Sequence, residues 1–126
     1  MPYKFFNPNP KFQRVGDCVV RAICKAIGVD WQEAYISLCA EGLSCKDMPS
    51  ANYVWGRLLN RYGYVGQMIS SICPQCVTVA EFANDHPEGR YVLSTQNHVV
   101  AVIDGDYYDT WDSGNEVILY FYKKEI

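Results

Sequence analysis

The sequence predicts an α+β fold, with a helical first half followed by an antiparallel second half. Three observations carry that reading. Val20, Ile23, Cys24 and Ile27 sit at i, i+3, i+4 and i+7, the spacing of one buried helix face. After Gly89 the chain becomes rich in β-branched and aromatic residues. Two of the resulting runs are joined by Asp104-Gly105, a strong hairpin signal.

The elements follow in order. The first sixteen residues are rich in Pro, Asn and Gly and read as an extended arm. The first helix begins near Asp17, and Gly28 ends it. Asp30 is the next N-cap, with Glu33 completing a capping-box-like pair. That second helix is expected to run to about Ala40 and to stop at Gly42. A third covers residues 50–62, with Tyr53, Val54, Trp55, Leu58 and Leu59 as apolar positions and Gly63 as terminator. Thr78 and Glu81 form a capping box for a short helix that ends before Pro87. Residues 90–95, 98–104, 106–111 and 116–122 read as strands.

With 126 residues and no internal repeat or linker, the chain reads as a single domain over 1–126. Apolar residues make up 49% and charged residues 20%, a balance that buries a core rather than staying disordered. The net charge of −3 disfavours nucleic-acid binding through a broad basic surface. No apolar run approaches the ~20 residues that span a bilayer, and Met1 to Pro10 carries no secretory pattern. The expected compartment is the cytoplasm, so the six cysteines read first as thiols rather than bridges.

There are two histidines. His86, in the polar turn Asn84-Asp85-His86-Pro87, reads as a solvated turn residue. His98 opens the apolar strand His98-Val99-Val100-Ala101-Val102-Ile103, which holds its imidazole in a defined place. Cys24 and Cys39 read as small core residues on helix faces. Cys18 differs: it points nearly opposite the apolar stripe and occupies the first turn of its helix, where N–H groups and the helix dipole stabilise a thiolate. Asp17 opposes that effect, and a histidinium partner offsets it.

Cys73-Pro74-Gln75-Cys76 has the spacing of a redox pair or of half a zinc site that Cys45 or Cys39 completes, and reads first as two reduced loop thiols. Asp104 and Asp106 bracket Gly105 and are explained by turn chemistry. Asp109 and Asp112 lie on or just after the strand beside His98, where a carboxylate accepts Nδ1–H and orients the ring; the hairpin places Asp109 closer.

A cysteine opening a helix, a histidine on a later strand and an acid on the next resemble the papain-like cysteine peptidases. The likeness is closest to compact bacterial members, the bacteriocin-leader peptidases and staphopain-type enzymes. The matching segments are Gly16-Asp17-Cys18-Val19-Val20-Arg21-Ala22, His98-Val99-Val100-Ala101-Val102 and Asp109-Thr110-Trp111-Asp112. The pattern is also similar to short proteins of bacteria and their phages. The resemblance selects Asp109 over Asp112, because staphopain-type enzymes place an asparagine one residue before a Trp-Asp pair. It also points to Gln13, five residues before Cys18, as an oxyanion donor; the family's usual gap is six.

The resemblance implies a papain-like fold and a thiol hydrolase that cleaves a peptide or isopeptide bond. Cys18 is the nucleophile, His98 the base and acid, and Asp109 the orienter; Gln13 and the Cys18 N–H hold the oxyanion. Trp111 and Tyr108 are expected beside the substrate. No cofactor or resident metal is expected. The partner is a peptide or protein, not nucleic acid or membrane. An acyltransferase using the same site remains open, as do a non-catalytic binding module on the same scaffold and a small zinc module.

Overall fold

A computed structural model describes residues 2–125. Along the chain run β1 (Tyr3–Phe5), α1 (Cys18–Ile27), α2 (Trp31–Cys45), α3 (Asn52–Arg61) and β2 (Tyr64–Met68). They are followed by α4 (Val79–Asp85), β3 (Arg90–Thr95), β4 (Val99–Ile103), β5 (Asp106–Asp109) and β6 (Ile118–Lys124). The strands form one sheet in the order β1-β5-β4-β3-β6-β2. Only the β1–β5 pair is parallel, so the sheet is mixed and the fold is α+β.

The period-two alternation of the strands divides the core between the two faces of the sheet. On one face Val92 and Val99 meet Ala22, Ile23, Leu38, Trp55 and Leu59 from α1, α2 and α3. On the other, Tyr91, Leu93, Val100, Val102 and Phe121 meet Val79, Phe82 and Ala83 of α4. β4 lies between both layers, and all five of its residues are buried. Its uninterrupted apolar run is what a strand covered on both faces requires. The helix opened by Cys18 lies against this rigid central strand.

Local signals are where they were expected. Gly28 closes α1 in the left-handed conformation, with its N–H on the Cys24 carbonyl. The Thr78–Glu81 capping box forms in full. Asp104 and Gly105, both at positive φ, turn β4 into β5.

Several expectations are corrected, and one strand, β2, had no counterpart among them. The N-terminal arm is not merely extended: β1 pairs with β5, about a hundred residues away in sequence. α2 does not stop at Gly42 but runs to Cys45, where Lys46 caps it. Gly42 is there for packing, since a Cβ would lie 2.8 Å from the Asp47 carbonyl oxygen. Cys45 therefore ends a helix rather than sitting in a loop, and Cys39 is only half-buried. β2 carries no alternating pattern, because four of its five residues are exposed at the sheet edge; the pairing with β6 defines it. Tyr53, expected in the core of α3, is exposed.

Cys73 and Cys76 form a disulfide, with Cα atoms 4.5 Å apart, inside the range that such a bridge needs. The bond replaces both the reduced-thiol and half-zinc-site readings. No cluster of three or more His, Cys, Asp or Glu side chains arranged for a metal occurs among the described residues. No helix among them is long and apolar enough to cross a membrane.

Candidate functional site

Asp17 and Gly16 deliver the chain into α1, and Cys18 is the first helical residue. The N–H groups of a first helical turn have no intrahelical acceptor, so they present partial positive charge beside the sulfur. Cys18 is half-buried and, with His98, lines a cleft of about 180 Å³. Ser50 and Asn52 border it from the start of α3, and Ser94, Gln96 and Asn97 from the β3–β4 connection.

His98 sits one residue before β4, and Asp109 ends β5. The antiparallel register that pairs Ala101 with Tyr108 brings these two strand ends together. His98 Nε2 and Asp109 Oδ2 are 2.6 Å apart. Cys18 and His98 border the same cleft, close enough for each to shift the other's ionisation. With Nε2 committed to the carboxylate, Nδ1 is the ring nitrogen left for the sulfur. The expected nitrogen order is therefore reversed: Asp109 takes Nε2–H, not Nδ1–H. The Trp111 ring lies 4.9 Å from the imidazole and covers it while remaining partly exposed.

Asp109 is 1% exposed, and its carboxylate is fully engaged. Oδ2 accepts from His98 and, at 2.7 Å, from the Ser113 hydroxyl. Oδ1 accepts from the Thr110 N–H at 2.8 Å and from Arg21 Nη2 at 2.9 Å. Arg21 is itself buried, and its Nη1 lies 2.6 Å from Asp17 Oδ1. The second Asp17 oxygen accepts from the Trp31 indole N–H at 2.9 Å. Asp112 takes no part: its carboxylate accepts from the Tyr107 hydroxyl and the Gly114 N–H.

These contacts set the charges. Burial opposes ionisation of Cys18, but neighbouring His98, aided by Arg21, outweighs it, and the thiol is held below its ordinary range. Burial likewise disfavours the imidazolium, yet Asp109 and Cys18 together push His98 up to about 9. Burial of Asp109 is overcome by His98 and Ser113, so its carboxyl stays below the usual range. The shifts thus favour the charged form of each group: a thiolate at Cys18, an imidazolium at His98 and a carboxylate at Asp109. Cys24 shows the contrast: burial, reinforced by the Asp30 and Asp17 carboxylates, pushes its thiol up to about 12.

Cys18, His98, Asp109 and Trp111 are brought together as the sequence indicated. Gln13 and Tyr108 are not. Gln13 is exposed, its backbone held by Asn9 and Asn7, and its side chain is not among the groups bordering the cleft. Tyr108 lies beneath Lys25, whose Nζ sits 4.0 Å from its ring centroid, and against Phe6. It therefore packs beside the C-terminal half of α1, whereas the cleft is at the N-terminus. His86 is not a solvated residue either: it stacks on Phe82 at 3.8 Å.

Sequence reasoning missed Arg21, Ser113 and the cleft walls. An arginine three residues after the candidate nucleophile was a usable signal, because i and i+3 share a helix face.

Comparison with known protein families, with curated proteins and with solved structures finds no match for this chain. The chemistry of the site follows from its own geometry: a nucleophile, a base that reaches it, and an acid that orients the base.

Proposed function

We propose that the protein is a papain-like cysteine peptidase, a thiol hydrolase acting on a peptide or isopeptide bond. The observation that carries this reading is the convergence of Cys18 and His98 on one cleft, with His98 Nε2 2.6 Å from Asp109 Oδ2. The Cys18 thiolate attacks the carbonyl carbon, and the oxyanion forms beside the Cys18 N–H at the start of α1. His98 protonates the leaving amine as the C–N bond breaks, which leaves a thioester on Cys18. His98 then takes a proton from the attacking water, and the acid product departs. Asp109 fixes the ring throughout. For the second oxyanion donor, the amides of Asn52, Gln96 and Asn97 border the cleft and are better placed than Gln13.

The test is site-resolved labelling by limiting iodoacetamide at neutral pH, followed by hydrolysis assays on a fluorogenic peptide library. Cys18 is expected to label at least about tenfold faster than Cys24, Cys39 and Cys45, and His98→Ala is expected to abolish that advantage. Equal labelling of all four thiols, unchanged in His98→Ala, overturns the pair. A reactive Cys18 with no turnover of any library peptide, and with biological effect retained in Cys18→Ala, overturns the peptidase in favour of a binding module.

A further inference from the structure

Asp17 presents a physical problem. A carboxylate in the residue preceding a nucleophilic cysteine opposes the thiolate. It is also an N-cap by position, yet its side chain caps nothing. Both oxygens are turned to other partners, Oδ1 to Arg21 and Oδ2 to the Trp31 indole.

We propose that Arg21 is a positioning residue for the Cys18–His98 pair, holding the Asp109 carboxylate in register with the nucleophile helix while drawing Asp17 away from the sulfur. The inference rests on the reading of Cys18, His98 and Asp109 as the reacting group. Three observations support it. Arg21 is 4% exposed, and its guanidinium spans two carboxylates at 2.6 and 2.9 Å, so a desolvated cation is fully paired. It stands on the same helix as Cys18, three residues on, and reaches the end of β5. It thus ties the element that carries the nucleophile to the element that carries the acid. Finally, it holds Oδ1 of Asp109, which leaves Oδ2 for His98.

The result is an alternating series of charges: Asp17 negative, Arg21 positive, Asp109 negative, His98 positive, Cys18 negative. Its two ends are neighbours in sequence. The charged groups that act on the sulfur are His98 before β4 and Arg21 on its own helix; Asp17 and Asp109 stand behind them, both on Arg21 and Asp109 also on His98. Without the guanidinium, two buried carboxylates face the pair and the thiolate is disfavoured.

A plain structural brace and a positioning residue differ in one readout, the pH dependence of Cys18 alkylation by iodoacetamide. Folding is checked by circular dichroism. In Arg21→Met the alkylation limb is expected to move about one pH unit upward, so the rate at pH 6 falls about tenfold. Adding Asp17→Asn to that variant is expected to bring the limb most of the way back, because the opposing carboxylate is gone. Arg21→Lys, which keeps the charge, is expected to stay near wild type. A folded Arg21→Met with an unshifted limb overturns the proposal, as does a shift that Asp17→Asn does not reverse.

If Arg21→Met fails to fold, Asp17→Asn alone decides: the limb moves downward if Asp17 opposes the thiolate, and an unmoved or raised limb overturns the inference. A wild-type Cys18 that titrates as an ordinary free thiol, with no response to His98→Ala, instead marks failure of the underlying site reading.

Discussion

Asp17, Asp109 and Glu41 are almost wholly buried carboxylates held by arginine, but the clusters around Asp109 and Glu41 are built differently. Asp109 meets Arg21 where both side chains are at most 5% exposed. Glu41, at the end of α2, meets Arg57 and Arg61 of α3, whose side chains are 42% and 58% exposed. Hydrogen bonds from Arg61 and Arg57 hold the Glu41 carboxyl below its ordinary range even though burial opposes this. Around Asp109 the cation, the acid and the imidazole are all withdrawn from water. Around Glu41 only the acid is, and the two cations stay solvated. Removing one member of the first cluster strands a charge in a low dielectric, whereas removing Glu41 strands none.

The largest expected effect follows from breaking the first cluster. Asp109→Asn is expected to lower turnover by about 10²–10⁴-fold, because His98 loses the acceptor that fixes its tautomer. It is also expected to destabilise the fold by about 2 kcal/mol, because buried Arg21 keeps Asp17 but loses its second carboxylate. Turnover and urea unfolding check both; a stable variant with full activity breaks the comparison. Glu41→Gln is the counterpart. It is expected to lower the melting temperature by no more than about 5 °C and to leave Cys18 labelling unchanged. A collapse of stability comparable to that of Asp109→Asn would show that exposed arginines do not soften the loss.

pH separates the clusters further. Asp109 and Glu41 have lowered carboxyls, so their contributions are present above the ordinary carboxyl range and lost as pH falls through the folded values. His98 is raised to about 9, so its contribution is full below about 6.5, the ordinary histidine value, and is lost as pH rises through about 9. Melting curves are expected to show an alkaline decline in the wild type that is absent in His98→Gln and retained in Glu41→Gln. Activity is expected to fall along the same alkaline limb as the imidazolium loses its proton. The smallest effect concerns neither cluster. The Cys73–Cys76 bridge closes a loop of four residues, so its reduction is expected to cost no more than about 2 kcal/mol. Turnover under dithiothreitol is expected to match that of the oxidised protein.

The parts of this fold that could be read in the sequence are those that short-range physics decides. α1 was visible because its apolar residues recur at helical spacing. The Thr78–Glu81 box and the Asp104-Gly105 turn were visible because their contacts lie within a few residues. β1 and β2 were not, because each is defined by a partner strand: Tyr3 pairs with Tyr107, and Tyr64 with Lys124. Gly42 misled because a glycine that admits close packing looks the same in sequence as one that ends a helix. In the site, Cys18 and His98 could be singled out by position, and Asp109 by its place on the hairpin.

Sequence alone thus determined which residues could react: a cysteine at a helix start, one histidine at the edge of an apolar strand, and a short choice of acids. It did so because helix capping, apolar periodicity and turn chemistry are local. The tertiary structure decided which acid meets the imidazole and through which nitrogen. It also decided that Gln13 and Tyr108 stay apart from the cleft, and that Asp17 pairs with Arg21 and the Trp31 indole. Those outcomes depend on where strand ends and helix starts converge in three dimensions, and on which charges are desolvated together.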